Sequence, residues 1–156
     1  MTRIASPDPP RIGAATGLRF SAGTDVGASL RCKASRMRET VVIVDDNEAF
    51  RERTRTLLDA EGYRVIGEAG DGAGGLRLLQ ELRPDLALLD VQLPDTDGFT
   101  LAERAGTPDG ATSIIIISTR EATDYASSVT RCGALGFISK SDLCDRTLRE
   151  ILDGVR

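Results

Sequence analysis

Apolar residues recur in short runs from Val41 onward, and most runs are followed by a segment with apolar residues at helical spacing. The pattern predicts five strands, at residues 41–44, 64–69, 86–90, 113–117 and 135–139. The third run, Leu-Ala-Leu-Leu-Asp, is apolar on both faces, which is typical of a parallel strand covered by helices on each side. Helices are expected at residues 48–61, 71–82, 99–104, 122–131 and 142–153. This alternation predicts an α/β fold with a doubly wound parallel sheet of five strands, five helices and right-handed crossovers.

The first 38 residues differ from the rest of the chain in composition and pattern. They are rich in Pro, Gly, Ser, Ala and Arg, lack hydrophobic periodicity, and carry seven basic residues against two acidic ones. Such a segment buries too little apolar surface to fold alone. We therefore expect a disordered basic extension at residues 1–38 and a folded domain at residues 39–156. Because Met37 directly precedes the first strand, it is also a hypothetical start of translation.

Composition narrows the classes of function. The chain contains no His, which excludes a Ser-His-Asp triad and a phosphohistidine on this chain, so nucleophilic chemistry is expected to use carboxylates. Three Cys residues without metal-ligand spacing indicate reduced thiols in a cytoplasmic protein. Residues 39–156 carry thirteen basic and twenty-two acidic residues, which argues against direct binding of nucleic acid. No apolar run approaches the roughly 20 residues that a membrane span needs.

Polar residues with chemical potential follow four of the predicted strands. They are Asp45 and Asp46 after the first strand, Asp90 at the end of the third, Ser118 after the fourth and Lys140 after the fifth. Since the carboxyl ends of parallel strands form the ligand-binding edge of an open α/β sheet, these side chains are expected to meet there. Taken singly, each one is also explained as a turn cap, a strand-end hydroxyl or a solvated lysine.

Three neighbouring carboxylates repel one another, and a divalent cation together with a lysine would resolve that conflict. The predicted cation is Mg²⁺, held by Asp46, by Asp45 directly or through water, by Asp90, and by the backbone carbonyl of Gln92. Asp90 is then the expected nucleophile, and its attack on phosphorus would give an acyl phosphate. Lys140 and the hydroxyl of Ser118 are expected to stabilise the charge of the transferred group.

From residue 41 to about residue 153, the chain resembles the receiver domain of two-component response regulators. The matching motifs are the acidic pair Asp45-Asp46, Asp90 with the following Leu-Pro-Asp-Thr-Asp-Gly-Phe at residues 93–99, Ser118, and Gly-Ala-Leu-Gly-Phe-Ile-Ser-Lys at residues 133–140. The resemblance implies a flavodoxin-like fold and a phosphorylation-dependent switch. Its phosphoryl donor would be a sensor histidine kinase or phosphotransfer protein, and the chain would be no enzyme beyond its own phosphorylation and dephosphorylation.

The same resemblance assigns the switch residues. Ser118 would move toward the phosphoryl group, and Phe137, at the position of an aromatic switch residue, would turn inward. The surface of helix four, strand five and helix five would then signal to a downstream protein or to a second copy of the chain. The chain departs from the family where Ser141 replaces a Pro that often follows the lysine. A cis bond without Pro costs about 3 kcal/mol, which argues against one there.

Three alternatives concern neighbouring motifs and the extent of the chain. Residues 70–75 satisfy G-x-G-x-x-G, and Asp90 lies twenty residues beyond Gly70, as in a Rossmann-type nucleotide-binding enzyme. Residues 95–98 mimic the aspartate motif of haloacid-dehalogenase-type phosphatases, but Asp95 follows Pro94 rather than a strand, so capping at the start of the third helix is expected. Sixteen residues follow Lys140, which fits a stand-alone receiver or a fragment of a longer DNA-binding regulator.

Overall fold

The computed structural model describes residues 39–106, 110–120 and 125–154, and these contain a five-stranded sheet. Its strands are β1 (Thr40–Val44), β2 (Arg64–Ala69), β3 (Leu86–Asp90), β4 (Ser113–Ser118) and β5 (Gly136–Ser139). All four strand pairings are parallel, in the order β2-β1-β3-β4-β5. This order is that of the flavodoxin-like doubly wound sheet, which confirms the predicted fold class.

Five helices cover the two faces of the sheet. They are α1 (Glu48–Ala60), α2 (Gly72–Leu82), α3 (Gly98–Ala105), α4 (Ala126–Arg131) and α5 (Asp145–Gly154). On one face, Leu58 of α1 and Leu148 of α5 pack against alternate strand residues. On the other face, Leu79 of α2 and Leu101 of α3 pack against the remaining strand residues. Because β1, β3 and β4 are buried on both faces, their side chains form two cores, one above and one below the sheet.

Polar side chains fix the starts of three helices. Asn47, Asp71 and Asp97 are the N-cap residues of α1, α2 and α3, and each side chain accepts a backbone N–H from the first turn. Such caps satisfy donors that have no partner within the helix. The second helix, predicted from residue 71, therefore begins at Gly72 with Asp71 as its cap.

The observed element ends differ from the predicted ones by a few residues. Helix α1 ends at Ala60 because the chain reverses at Gly62, whose φ of 89° favours glycine. Helix α5 begins at Asp145 rather than at residue 142. The three residues before it form a turn, in which the hydroxyl of Thr147 accepts the Cys144 N–H and donates to the Asp142 carbonyl. The first residues of the predicted fourth helix lie outside the described residues.

The predictions for residues 1–38, including the start at Met37, also lie outside the described residues. Within the part of the chain that the structure describes, no helix combines the length and apolar character that a membrane span requires. No cis peptide bond occurs among the described residues, which include Lys140 and Ser141.

Candidate functional site

The carboxyl edge of the sheet brings together the three carboxylates that the sequence singled out. Asp45 and Asp46 follow β1, Asp90 ends β3, and one carboxylate oxygen from each lies within 4.8 Å of the other two. Asp45 is fully buried and Asp90 is only 4% exposed, whereas Asp46 faces solvent. The cluster is therefore closed on the side of the core and open on the side of Asp46.

Lys140 reaches this cluster from the end of β5. Its Nζ lies 2.6 Å from Oδ2 of Asp45 and 3.2 Å from Oδ2 of Asp90, so one ammonium bridges the two buried carboxylates. The same Nζ lies 4.6 Å from the centre of the Phe50 ring, an apolar support that also attracts a cation. The expected meeting of Lys140 with the strand-end aspartates is thus observed, and Phe50 is a neighbour that the sequence did not indicate.

The pKa values of Asp90 and Lys140 are both shifted by burial and by the neighbouring charges. Burial and the nearby Asp45 carboxylate raise the pKa of Asp90, and the Lys140 ammonium only partly offsets them. Burial by itself would lower the pKa of Lys140. The hydrogen bond and the charge of Asp45, together with Asp90, outweigh burial, so the pKa of Lys140 is raised. Lys140 therefore remains an ammonium, and the charged form of Asp90 is costly to bury.

The acidic pair is held in place by a dense set of contacts around Asp45. Its N–H donates to the Ala69 carbonyl on β2 at 3.0 Å, and its Oδ1 accepts the Asn47 N–H at 2.8 Å. Its carbonyl accepts Nη1 of Arg51 at 2.5 Å. With Lys140 on Oδ2, both carboxylate oxygens of Asp45 are engaged, which leaves Asp46 as the carboxylate of the pair that faces solvent.

Ser118 ends β4, and Phe137 lies two positions back from that level on the neighbouring strand β5. Ser118 is 2% exposed, and its hydroxyl accepts the Arg120 N–H at 3.2 Å. Phe137 is partly buried and lies against Tyr125, with ring centres 5.8 Å apart. Tyr125 in turn contacts Phe99 at 5.5 Å. Phe137 therefore belongs to a row of three aromatic rings.

The loop after β3 folds back over the strand that ends on Asp90. Gln92 forms an isolated bridge with Asp97, and its backbone N–H donates to the Asp90 carboxylate. The Gly98 N–H donates to the Val91 carbonyl at 3.0 Å. A Cβ at Gly98 would lie 2.3 Å from the Asp90 carbonyl oxygen, so only glycine allows this approach. Gln92 is thereby kept beside Asp90, and its carbonyl stays a predicted metal ligand.

Asp95 has a different role from the one expected. Asp97 is the cap of α3, whereas the Asp95 carboxylate accepts the N–H groups of Gly72 at 2.7 Å and Ala73 at 2.9 Å, at the start of α2. These two bonds lower the pKa of Asp95. The N–H groups that a Rossmann-type site would offer to a pyrophosphate are therefore bound by a carboxylate of the same chain, which gives the nucleotide-binding alternative no support.

The donor set fits a hard divalent cation. Three carboxylates lie close together, and Asp46 is accessible from solvent. Carboxylate oxygens are the hard ligands that Mg²⁺ prefers.

The sequence did not indicate the contacts that Phe50, Arg51 and Asp95 make at the site. Phe50 and Arg51 lie in the first turn of α1, directly after the acidic pair. Their closeness to the pair in the sequence could have identified them as neighbours of the site.

Comparison with known proteins identifies the family. Residues 41–152 match the family model of the response regulator receiver domain. The chain belongs to this family. A probable transcriptional regulatory protein NarL of Mycobacterium tuberculosis is 33% identical over 114 residues, which make up 72% of this chain and 53% of that protein. The transcriptional regulatory protein YxjL of Bacillus subtilis, described as uncharacterized, is 32% identical over 117 residues, 74% of this chain and 52% of that protein.

Solved structures agree with the family assignment. The signal receiver domain of NarL from Mycobacterium tuberculosis superposes with a TM-score of 0.66 at 32% identity, over 74% of this chain and 94% of that one. A CheY-like receiver domain protein from Methanospirillum hungatei JF-1 gives a TM-score of 0.65 at 28% identity, over 75% and 92%. The chain spans about half the length of the curated relatives it matches. It is a receiver domain of two-component signalling.

Proposed function

We propose that Asp90 accepts a phosphoryl group from the phosphohistidine of a partner histidine kinase or phosphotransfer protein. The observation that best supports this role is the pairing of the buried Asp90 carboxylate with Lys140 at 3.2 Å, beside two further carboxylates. A carboxylate at the end of a parallel strand also lies at the edge where open α/β sheets bind ligands. Asp90 is therefore the proposed nucleophile.

Mg²⁺ is the proposed cofactor of the site. Asp46 and Asp90 would bind the ion directly, together with the Gln92 carbonyl. Asp45 would act through water, since its two carboxylate oxygens already accept the Asn47 N–H and pair with Lys140. When bound, the ion neutralises the clustered carboxylates and stabilises negative charge on a phosphoryl group.

The side chains of this chain account for the transfer step. A carboxylate oxygen of Asp90 bonds to phosphorus while the bond from phosphorus to the donor imidazole nitrogen breaks, and the imidazole leaves with the electron pair. Lys140, with its raised pKa, remains charged and stabilises the phosphoryl oxygens. The Ser118 hydroxyl would turn away from the Arg120 N–H and donate to the phosphoryl group. Water later hydrolyses the acyl phosphate and restores the Asp90 carboxylate.

The proposed signal leaves the site through β5. Movement of Ser118 would let Phe137 turn inward from its contact with Tyr125, which changes the surface of α4, β5 and α5. A cleft of about 270 Å³ lies on this surface, and Phe137, Ile138, Thr147 and Ile151 contribute to its lining. This altered surface would bind a downstream protein or a second copy of the chain.

Replacement of the proposed acceptor tests this function. Asp90→Asn is expected to abolish Mg²⁺-dependent labelling by acetyl phosphate, because an amide cannot form the acyl phosphate. Labelling is followed as a shift on a phosphate-affinity gel, since a phosphoryl group adds about −1.5 to −2 charge at neutral pH. Asp59→Asn is the matched control, because Asp59 is an exposed aspartate near the far end of α1 and its variant should label like the wild type. Wild-type labelling of Asp90→Asn would remove Asp90 as the acceptor.

A further inference from the structure

The side chain of Arg51 connects helix α1 to the acidic pair. Its described hydrogen bonds and ion pairs include none to a carboxylate. Its Nη1 donates to the backbone carbonyl of Asp45 at 2.5 Å, and that carbonyl belongs to the peptide unit that joins Asp45 to Asp46. A hydrogen bond from a guanidinium is stronger than one between neutral groups. Arg51 is therefore in a position to fix the orientation of the peptide that carries Asp46.

The surroundings of Arg51 support a positioning role. Its backbone N–H donates to the Asn47 carbonyl at 3.1 Å, which anchors the residue in the first turn of α1. Its Nη1 also lies 3.5 Å from the point where a Cβ at Gly70 would stand, so the guanidinium reaches the loop that follows β2. The side chain thus lies between two loops at the carboxyl edge of the sheet, and it is only partly exposed.

The backbone carbonyl is the one polar group of Asp45 that its other described contacts do not engage. The N–H of Asp45 is bound to β2, and its two carboxylate oxygens contact the Asn47 N–H and Lys140. The carbonyl is the remaining polar group of the residue, and Arg51 is its described partner. Asp46, the exposed carboxylate of the pair, follows this carbonyl directly. Without Arg51, this carbonyl would lose its described hydrogen bond, and the peptide between the two aspartates would be held less firmly.

We infer that Arg51 is a positioning residue for the divalent cation, because its bond to the Asp45 carbonyl holds Asp46 in the orientation that binds Mg²⁺. This inference rests on the proposed Mg²⁺ site. Residues that orient metal ligands typically contribute ten- to a hundredfold to metal affinity. Arg51→Ala should therefore weaken Mg²⁺ binding roughly tenfold. Arg51→Lys, which keeps a charged donor, should recover part of the loss.

Arg55 offers a matched control on the same helix. It lies one turn further along α1 and pairs with Glu68 on β2, away from the acidic pair. Arg55→Ala removes an arginine and an inter-element contact of α1 without touching Asp45. It should leave the Mg²⁺ dissociation constant unchanged.

The test is titration of the metal-free full chain with MgCl₂ by calorimetry, with the urea midpoint of each variant measured alongside. A roughly tenfold weaker dissociation constant for Arg51→Ala, partial recovery in Arg51→Lys and no change in Arg55→Ala would support the inference. Equal Mg²⁺ affinity in the wild type and Arg51→Ala would overturn it, whatever the urea midpoints. Equal weakening in Arg55→Ala would do the same, since the loss would then reflect α1 in general. A wild type that binds no Mg²⁺ would instead refute the proposed metal site, and this inference with it.

Discussion

At the scale of single residues, the site is a balance between buried like charges and one bridging cation. Asp90 and Asp45 are both buried, and Lys140 contacts both. The raised pKa of Asp90 shows that the ammonium does not fully offset burial and the neighbouring carboxylate. Additional positive charge, such as a bound cation, would stabilise the charged form of these carboxylates. The site therefore suits a reaction that depends on a cation.

The raised pKa predicts that ionised Asp90 costs folding stability. The unfolded chain releases this proton at a lower pH than the folded one, so stability falls as pH rises from the ordinary aspartate pKa through the raised one. Asp90→Asn removes the charge and should raise the free energy of unfolding of the metal-free protein at neutral pH. Lys140 keeps Asp45 as its partner. Urea unfolding in the absence of divalent cations measures the difference.

The control for this prediction is Glu52→Gln, which neutralises an exposed acid on α1 and should change the free energy of unfolding little. An Asp90→Asn variant that is less stable than the wild type at neutral pH would contradict the account. It would mean that the Lys140 contact outweighs the repulsion from Asp45.

The chemical groups of the site were easier to predict than their supports. Asp45, Asp90 and Lys140 each follow a run of apolar residues, and parallel strands bring such ends to one edge. The contact of Asp95 with the start of α2 has no comparable signature. It joins two loops that are distant in the sequence, so it depends on loop conformations that apolar periodicity does not encode.

At the scale of elements, the start of α3 lies directly against the end of the proposed acceptor strand. Gly98 begins this helix, and its N–H donates to the carbonyl of Val91, one residue after β3. The backbone around Asp90 leaves no space for a side chain at Gly98. The position of the strand end is thus coupled to the start of the helix.

Gly98→Ala should therefore disturb both the fold and the site. The new Cβ would lie 2.3 Å from the Asp90 carbonyl oxygen, a backbone atom that cannot rotate away. We expect a loss of about 2 kcal/mol in the free energy of unfolding, as for overpacked cores, and weaker labelling by acetyl phosphate. Gly154→Ala, with no atom within 4 Å of its Cβ, is the control and should be close to neutral. Equal urea midpoints for the two variants would refute the steric argument.

The elements themselves show where a sequence pattern is sufficient. All five strands were predicted to within a residue at either end. The three buried strands, β1, β3 and β4, are nearly continuous apolar runs, which makes them the clearest in the sequence. The start of α5 was predicted three residues early. Apolar spacing indicated the face formed by Leu148 and Leu152. It could not indicate that the Thr147 hydroxyl would bind the Asp142 carbonyl and hold the preceding residues in a turn.

At the scale of the whole molecule, topology explains why the proposed chemistry is assembled from distant parts of the chain. The order β2-β1-β3-β4-β5 makes β1, β3 and β4 neighbours and leaves β5 at one side of the sheet. Asp45, Asp90, Ser118 and Lys140 therefore lie on adjacent strand ends, although 95 positions separate the first from the last. The same order brings Phe137 to the outer strand, where a change at the site can reach the surface.

Reductive trapping shows whether Asp90 becomes an acyl phosphate. The full chain is treated with acetyl phosphate and Mg²⁺ and then with borohydride, which reduces an aspartyl phosphate to homoserine. Peptide mass spectrometry then locates the modified residue. Homoserine is expected at position 90, and none is expected when Mg²⁺ is replaced by a chelator. Homoserine at position 45 or 46, or at no position, would contradict the proposed role of Asp90.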